Sequence, residues 1–186
     1  LQWTISNGVC PASTSTMAIQ VDALPTVANA GPSQTLCVNS NSTTLAANVP
    51  LMGVGSWSVL SGAATITSST TANSTATAIS TATSNILQWT ISNGVCPAST
   101  STMAIQVDAL PTVANAGSSQ TLCVNSNSFV LSGNTPAMGV GTWSVIAGSA
   151  VITPSTSPTA TATAISTATS NILQWTISNG VCPAST

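Results

Sequence analysis

Residues 86–108 read ILQWTISNGVCPASTSTMAIQVD. In an extended chain successive side chains point to opposite faces, so Leu87, Trp89 and Ile91 share one face while Gln88, Thr90 and Ser92 share the other. Large apolar residues alternating with small polar ones describe a strand buried on one side. Asn93-Gly94 follows at once and predicts a tight hairpin, because both residue types tolerate the positive φ that such turns require. Beyond the turn Met103, Ile105 and Val107 fall on one face, with Ala104, Gln106 and Asp108 opposite. The stretch therefore predicts two antiparallel strands resting one face on a core.

The segment LQWTISNGVCPAST within it occurs three times, starting at Leu1, Leu87 and Leu173, with a spacing of 86 residues both times. The first two copies stay identical as far as Gly31 and Gly117. A fixed period of this length marks tandem units, each one small domain long. Pro25 and Pro111 follow the apolar run AIQVDAL and stiffen the entry to each unit. The expected division is 1–23, the C-terminal part of a preceding repeat; 24–109, a complete repeat; and 110–186, a second repeat truncated before its last strand. On this reading the chain is a window on a longer array.

Further strands are expected at 34–38, at 43–48 with Leu45 and Ala47 inward, at 55–60 with Trp57 and Val59 on one face, at 64–67 and at 75–80. The second repeat keeps these faces while its turns change. Thr43, Leu45 and Ala47 become Phe129, Leu131 and Gly133, Trp57 persists as Trp143, and Pro154 and Pro158 enter a turn. About seven short strands per repeat, with turns at regular spacing, predict an all-β fold. The architecture expected is tandem immunoglobulin-like β-sandwich domains with a period of 86 residues. Trp57, Trp89, Trp143 and Trp175 are the expected core anchors. A β-solenoid would show a shorter period of roughly 20–30 residues, which is lacking.

Composition removes most chemistry. The 186 residues hold no Lys, Arg, His or Tyr, and only two acids, Asp22 and Asp108. Thiols apart, nothing titrates near neutrality to serve as a general acid or base, so no catalytic residue, no cofactor and no enzyme activity are expected. No hydroxyl has a His or Lys to activate it. Without cations there is no nucleic-acid footprint and no attraction to an anionic membrane surface. The apolar runs are too short and too interrupted to span a bilayer. A net charge of −2 is small for a freely diffusing protein, and suits a tethered or polymeric material instead.

Each full repeat has two cysteines, one ending the first strand and one just after Asn-Gly. The favoured pairing is within repeats, Cys37 with Cys96 and Cys123 with Cys182, leaving Cys10 with a partner outside the window. The alternative joins successive repeats, Cys10 with Cys37 and Cys96 with Cys123. Metal binding is the weakest use, because two Cys without His or C-x-x-C spacing cannot complete a zinc site.

Asp22 and Asp108 lie at corresponding positions between repeats. One carboxylate per junction is too few for calcium, which takes six to eight oxygens, so a solvated or turn-capping role is expected and no metal. The Thr-rich stretch TATAISTATS, at 75–84 and 161–170, could present hydroxyl rows to ice or to a crystalline glycan. Thr is favoured in ordinary strands, which is the simpler reading. Asn41 and Asn73 head Asn-x-Ser/Thr triplets that the second repeat lacks.

The segments ANAGPSQTLC, LAANVP, GVGSWSVLSGAATI and LQWTISNGVCP together resemble the immunoglobulin-like, PKD-like modules of very large surface proteins of the Bacteroidota. Ser33 and Ser119 stand where those modules often have Asp, and Gln2, Gln88 and Gln174 where they have Arg or Lys. The resemblance covers nearly the whole chain and implies an extracellular adhesin or filament exported by the type 9 secretion route. The expected function is a structural repeat of a long cell-surface filament or adhesin stalk, giving reach and mechanical and proteolytic durability. The alternative is a repetitive glycan- or ice-binding module acting through avidity. Expected partners are identical chains bundling side by side, or a glycan or abiotic surface.

Overall fold

The computed structural model describes residues 1–81, 84–167 and 170–186. A hairpin of β1 (Gln2–Ile5) and β2 (Ser13–Thr16) comes first. It is followed by β3 (Gln34–Cys37), β4 (Ser42–Thr44), β5 (Val54–Ser61), β6 (Thr65–Ile66), β7 (Thr75–Thr77), β8 (Asn85–Ser92) and β9 (Ser99–Asp108). The rest is β10 (Phe129–Val130), β11 (Val140–Ala147), β12 (Val151–Thr153), β13 (Thr161–Thr163) and β14 (Ile172–Ser178). No helix is present among the described residues.

Strands β3 to β9 form two sheets, ordered β3-β9-β8-β5 and β4-β7-β6. Strand β3 runs parallel to β9, while β8 is antiparallel to both β5 and β9. Along β8 the apolar face is fully buried, with Leu87, Trp89 and Ile91 closed off from solvent. Trp57 of β5 lies directly across from Trp89, ring centroids 5.1 Å apart and planes inclined at 47°. Tilted aromatic pairs of this kind add about 0.5–1.5 kcal/mol beyond their burial. The pair needs Gly55, because a Cβ there would run into the Trp89 indole. Leu45, Ala47, Ala76 and Ile79 face the pair from the other sheet and its flanking chain.

Beyond Thr44 the regular ladder of β4 ends, but the chain keeps bonding to 72–74: Leu45 N donates to Ser74 O (2.8 Å) and Ala47 N to Ala72 O (3.3 Å). Strand β7 is shorter than the expected 75–80, since Ala78 turns the backbone left-handed at φ 51°. The part of the Thr-rich stretches at 82–83 and 168–169 lies outside the described residues. Asn93-Gly94 does not make a tight hairpin. The last pair of the β8/β9 ladder is Ile91 with Ser99, so a longer loop, 93–98, joins the strands.

A second core is built in the same way from β11-β14 and β10-β13-β12. Trp143 opposes Trp175 with centroids 5.1 Å apart and an inclination of 40°. Leu131, Ala160, Ala162 and Ile177 close around the pair. Gly133 takes the place of Ala47, and here the Trp175 indole Nε1 donates to Asn134 O at 3.2 Å. Among the described residues the buried Trp89 Nε1 has no such partner.

The two cores differ at one repeated segment. Residues 120–123 repeat the QTLC of β3 but form no strand. Strand β3 exists through its pairing with Ile105–Asp108. Ser185, the counterpart of Ser99, bridges to Ile177 as Ser99 pairs with Ile91.

The junction between the two cores as candidate functional site

Strand β9 ends in Asp108 and is followed by Ala109, Leu110 and Pro111, so only a few residues separate the last strand of the first core from the second. Three groups of the loop after β14 close on this short connection. The Asn179 side-chain Nδ2 donates to Ala109 O at 2.8 Å. The Val181 backbone N donates to the Asp108 carboxylate Oδ2 at 3.1 Å. Cys182 sits with its Sγ 3.4 Å from Asp108 O. The Asn-Gly segment, read from sequence as a turn, thus serves as a clasp. Gly180, at φ 51°, brings the backbone against Asp108 so closely that a Cβ would collide with the carboxylate.

Cys182 is bonded to Cys37, with Cα atoms 4.8 Å apart. This corrects both pairings weighed from the sequence. The reason lies in the parallel register of β3 on β9. Cys37 is aligned with Asp108, at the end of β9, whereas Cys96 precedes its start at Ser99. Ten residues of β9 at about 3.3 Å each hold these two cysteines roughly 30 Å apart, far beyond the reach of a disulfide. The loop that does reach the end of β9 is the one carrying Cys182 of the next repeat. The bond therefore ties successive repeats together, from first strand to following clasp. Cys10, Cys96 and Cys123 carry free thiols, Cys10 and Cys123 on the surface.

The same clasp is assembled one period earlier. Asn93 Nδ2 donates to Ala23 O at 2.8 Å, Val95 N to Asp22 Oδ2 at 3.1 Å, and the Cys96 thiol to Asp22 O at 3.3 Å. The Asp22 carboxyl is held below its ordinary range by the Gln20 amide on Oδ1 and by the Val95 N–H. Both aspartates thus cap a loop from the next repeat. Nothing in the isolated sequence shows this, since the partner lies 73 residues away.

The remaining candidates stay apart from the junction. Thr75 and Thr77 lie on the outer side of the β4-β7-β6 sheet, with Ala76 facing the core. Thr67 and Thr77 hydroxyls donate to carbonyls of their own sheet, Thr75 O and Thr65 O. In the second repeat Thr44 and Thr65 become Val130 and Val151, so the hydroxyl rows are not kept. Asn73 is exposed, and the Asn41 Oδ1 accepts from the Ile79 N–H at 3.2 Å. Asn85 was not singled out from sequence, yet it is fully buried. Its amide joins Ala63 N, Ser80 O and Ile105 O, tying both ends of its neighbourhood to β9.

Two facing sheets in the first core, its first strand paired parallel to its last, and a second core of like sheets define this chain as all-β and immunoglobulin-like. Among solved structures it is similar to immunoglobulin domains 1–4 of Sidekick-1, at a TM-score of 0.51 and 14% sequence identity. The match covers 98% of this chain and 55% of that one, so the chain spans about half the length of the Sidekick-1 structure. No protein-family model and no curated protein matches the sequence.

Proposed function

We propose that this chain is a stretch of a long extracellular surface filament or adhesin stalk, in which each repeat supplies length and each junction supplies stiffness. The observation that carries the reading is the junction. A connection of a few residues is clasped by two hydrogen bonds and spanned by the Cys37–Cys182 bond, an investment in fixing one repeat to the next. A disulfide-bonded array suits an oxidising compartment, which supports a location outside the cytoplasm. The near-absence of charge, the lack of any Lys or Arg for trypsin and the lack, thiols apart, of a side chain titrating near neutrality suit a durable spacer and not a catalyst. The resemblance to Bacteroidota surface modules points to a cell-surface location and type 9 export, with side-by-side bundling of identical chains as the mode of assembly.

Immunogold electron microscopy of intact cells of the source organism, with an antibody to the peptide ILQWTISNGVCPAS, tests this. Dense label along extended surface fibres is the expected result. Label confined to shed, soluble protein would overturn the stalk reading in favour of a secreted binding module.

A further inference from the structure

The clasp sets a chemically reactive pair of residues at each junction. We propose that Asn93 and Asn179 are sites of self-modification, each converting to aspartate or isoaspartate when its clasp opens, and that the product holds the joint open. The inference goes beyond the stalk reading and does not depend on it, because it concerns the joint alone.

Each half of the Asn-Gly pair is present for its own structural reason. Glycine is required because Gly94 and Gly180 turn left-handed, at φ 54° and 51°, and a Cβ would strike the carboxylates of Asp22 and Asp108. Asparagine supplies the Nδ2 that donates to Ala23 O and to Ala109 O, at 2.8 Å in both junctions. Together they set a side-chain amide beside a backbone nitrogen that no side chain hinders. That nitrogen is also unengaged. Val181 N donates to Asp108 Oδ2 and Cys182 N to Asn179 O, but among the described residues nothing accepts from Gly180 N. Gly94 N is equally free beside Val95 and Cys96. Both glycines are exposed, so water reaches the pair. Asn48 and Asn134 offer the contrast. They precede Val49 and Thr135, and each amide is held through both its oxygen and its nitrogen.

The reaction needs only water. Gly180 N loses its proton and bonds to Asn179 Cγ, the Cγ–Nδ2 bond breaks, and ammonia leaves with that proton. Water then opens the cyclic imide at either carbonyl. One opening gives aspartate, and the other gives isoaspartate, with the backbone routed through the side chain. In the closed clasp Nδ2 is bonded to Ala109 O, and cyclisation must break that bond. Reaction therefore starts from the opened joint.

The product cannot restore what was lost. An oxygen faces Ala109 O where a donor stood. A second carboxylate lies near that of Asp108, in a chain with no Lys, Arg or His to offset it. Two acceptors face to face and two like charges both favour the open joint. The isoaspartyl form also lengthens the backbone ahead of Val181, which draws its N–H off the Asp108 carboxylate. Each opening thus risks a change that is not reversed on closing.

The test incubates the oxidised 186-residue chain in mildly alkaline buffer, then reduces it and maps it with chymotrypsin. A sample taken before incubation sets the baseline. Asn179 is followed in TISNGVCPAST, residues 176–186, where conversion appears as aspartyl and isoaspartyl forms. It should run well ahead of conversion at Asn134. Cys37→Ser should speed it by at least about tenfold, because the loop carrying Asn179 is no longer tied to β3 and opens more often. Asn179→Asp copies one product. It should speed hydrogen exchange of the Val181 amide by about tenfold or more, while Leu131, inside the second core, exchanges as in the parent. Conversion at Asn179 no faster than at Asn134, a rate indifferent to Cys37→Ser, or Val181 exchange unchanged by Asn179→Asp would each overturn the proposal.

Discussion

Substituting Cys37→Ser removes the bond between repeats and leaves both Trp pairs untouched. The bond closes a loop of 145 residues that takes in most of both cores. Chain-entropy accounting for a loop of that length gives a loss of about 5 kcal/mol. At roughly 2–4 °C per kcal/mol for a chain of this size, the Tm should fall by about 10–20 °C. Cys96→Ser and Cys123→Ser alter free thiols and should leave the Tm of the monomer within about 2 °C. Calorimetry on oxidised protein at low concentration measures all three. The pairing itself is read by non-reducing peptide mapping with chymotrypsin, since trypsin has no site in this chain. Cleavage after Leu36 and Leu45 releases CVNSNSTTL, and cleavage after Trp175 releases TISNGVCPAST. These two peptides should be found joined. Finding CVNSNSTTL joined to 90–103, and 123–129 joined to 176–186, would place the bonds within repeats and refute the junction. So would a Cys37→Ser protein that melts with the parent.

Trp89→Ala should cost about 3–5 kcal/mol in denaturant unfolding, whereas Trp3→Ala should change stability by less than about 0.5 kcal/mol, because Trp3 is 72% exposed. Gly55→Ala drives a methyl into the Trp89 ring and should destabilise the first core by about 1–3 kcal/mol. Ala78→Gly relieves a left-handed alanine at φ 51° and should be neutral or stabilising by up to about 1 kcal/mol, in the same unfolding assay. Because the Asp22 pKa is lowered on folding, its contribution to the clasp is complete above the ordinary value of 3.8 and is lost as pH falls through the depressed folded value. The Val95 amide resonance should therefore hold steady down to that range and shift below it, with an Asp22→Asn variant showing no titration.

The parts of this fold that were legible in sequence are those decided over a few residues. Alternation placed Leu87, Trp89 and Ile91 inward because period-2 patterning is local to one strand. The cysteine register was not legible, because it depends on β3 lying parallel to β9, and on a loop of the next repeat reaching the end of β9. The two-sided role of Asn85 was hidden for the same reason: Asn reads as a turn residue until its partners on three segments are known.

Repetition lets this distinction be drawn within one molecule. Gln34–Cys37 and residues 120–123 have the same four residues, QTLC, and only the first is a strand. Trp3 and Trp89 sit in identical surroundings of sequence, yet one is in water and the other is fully buried. Local propensity is the same in each pair, so it cannot be what separates them. In both pairs the difference is the neighbouring segment: β9 for QTLC, and β5 with the opposing sheet for Trp89. A strand of this chain is thus completed by whichever segment closes its edge.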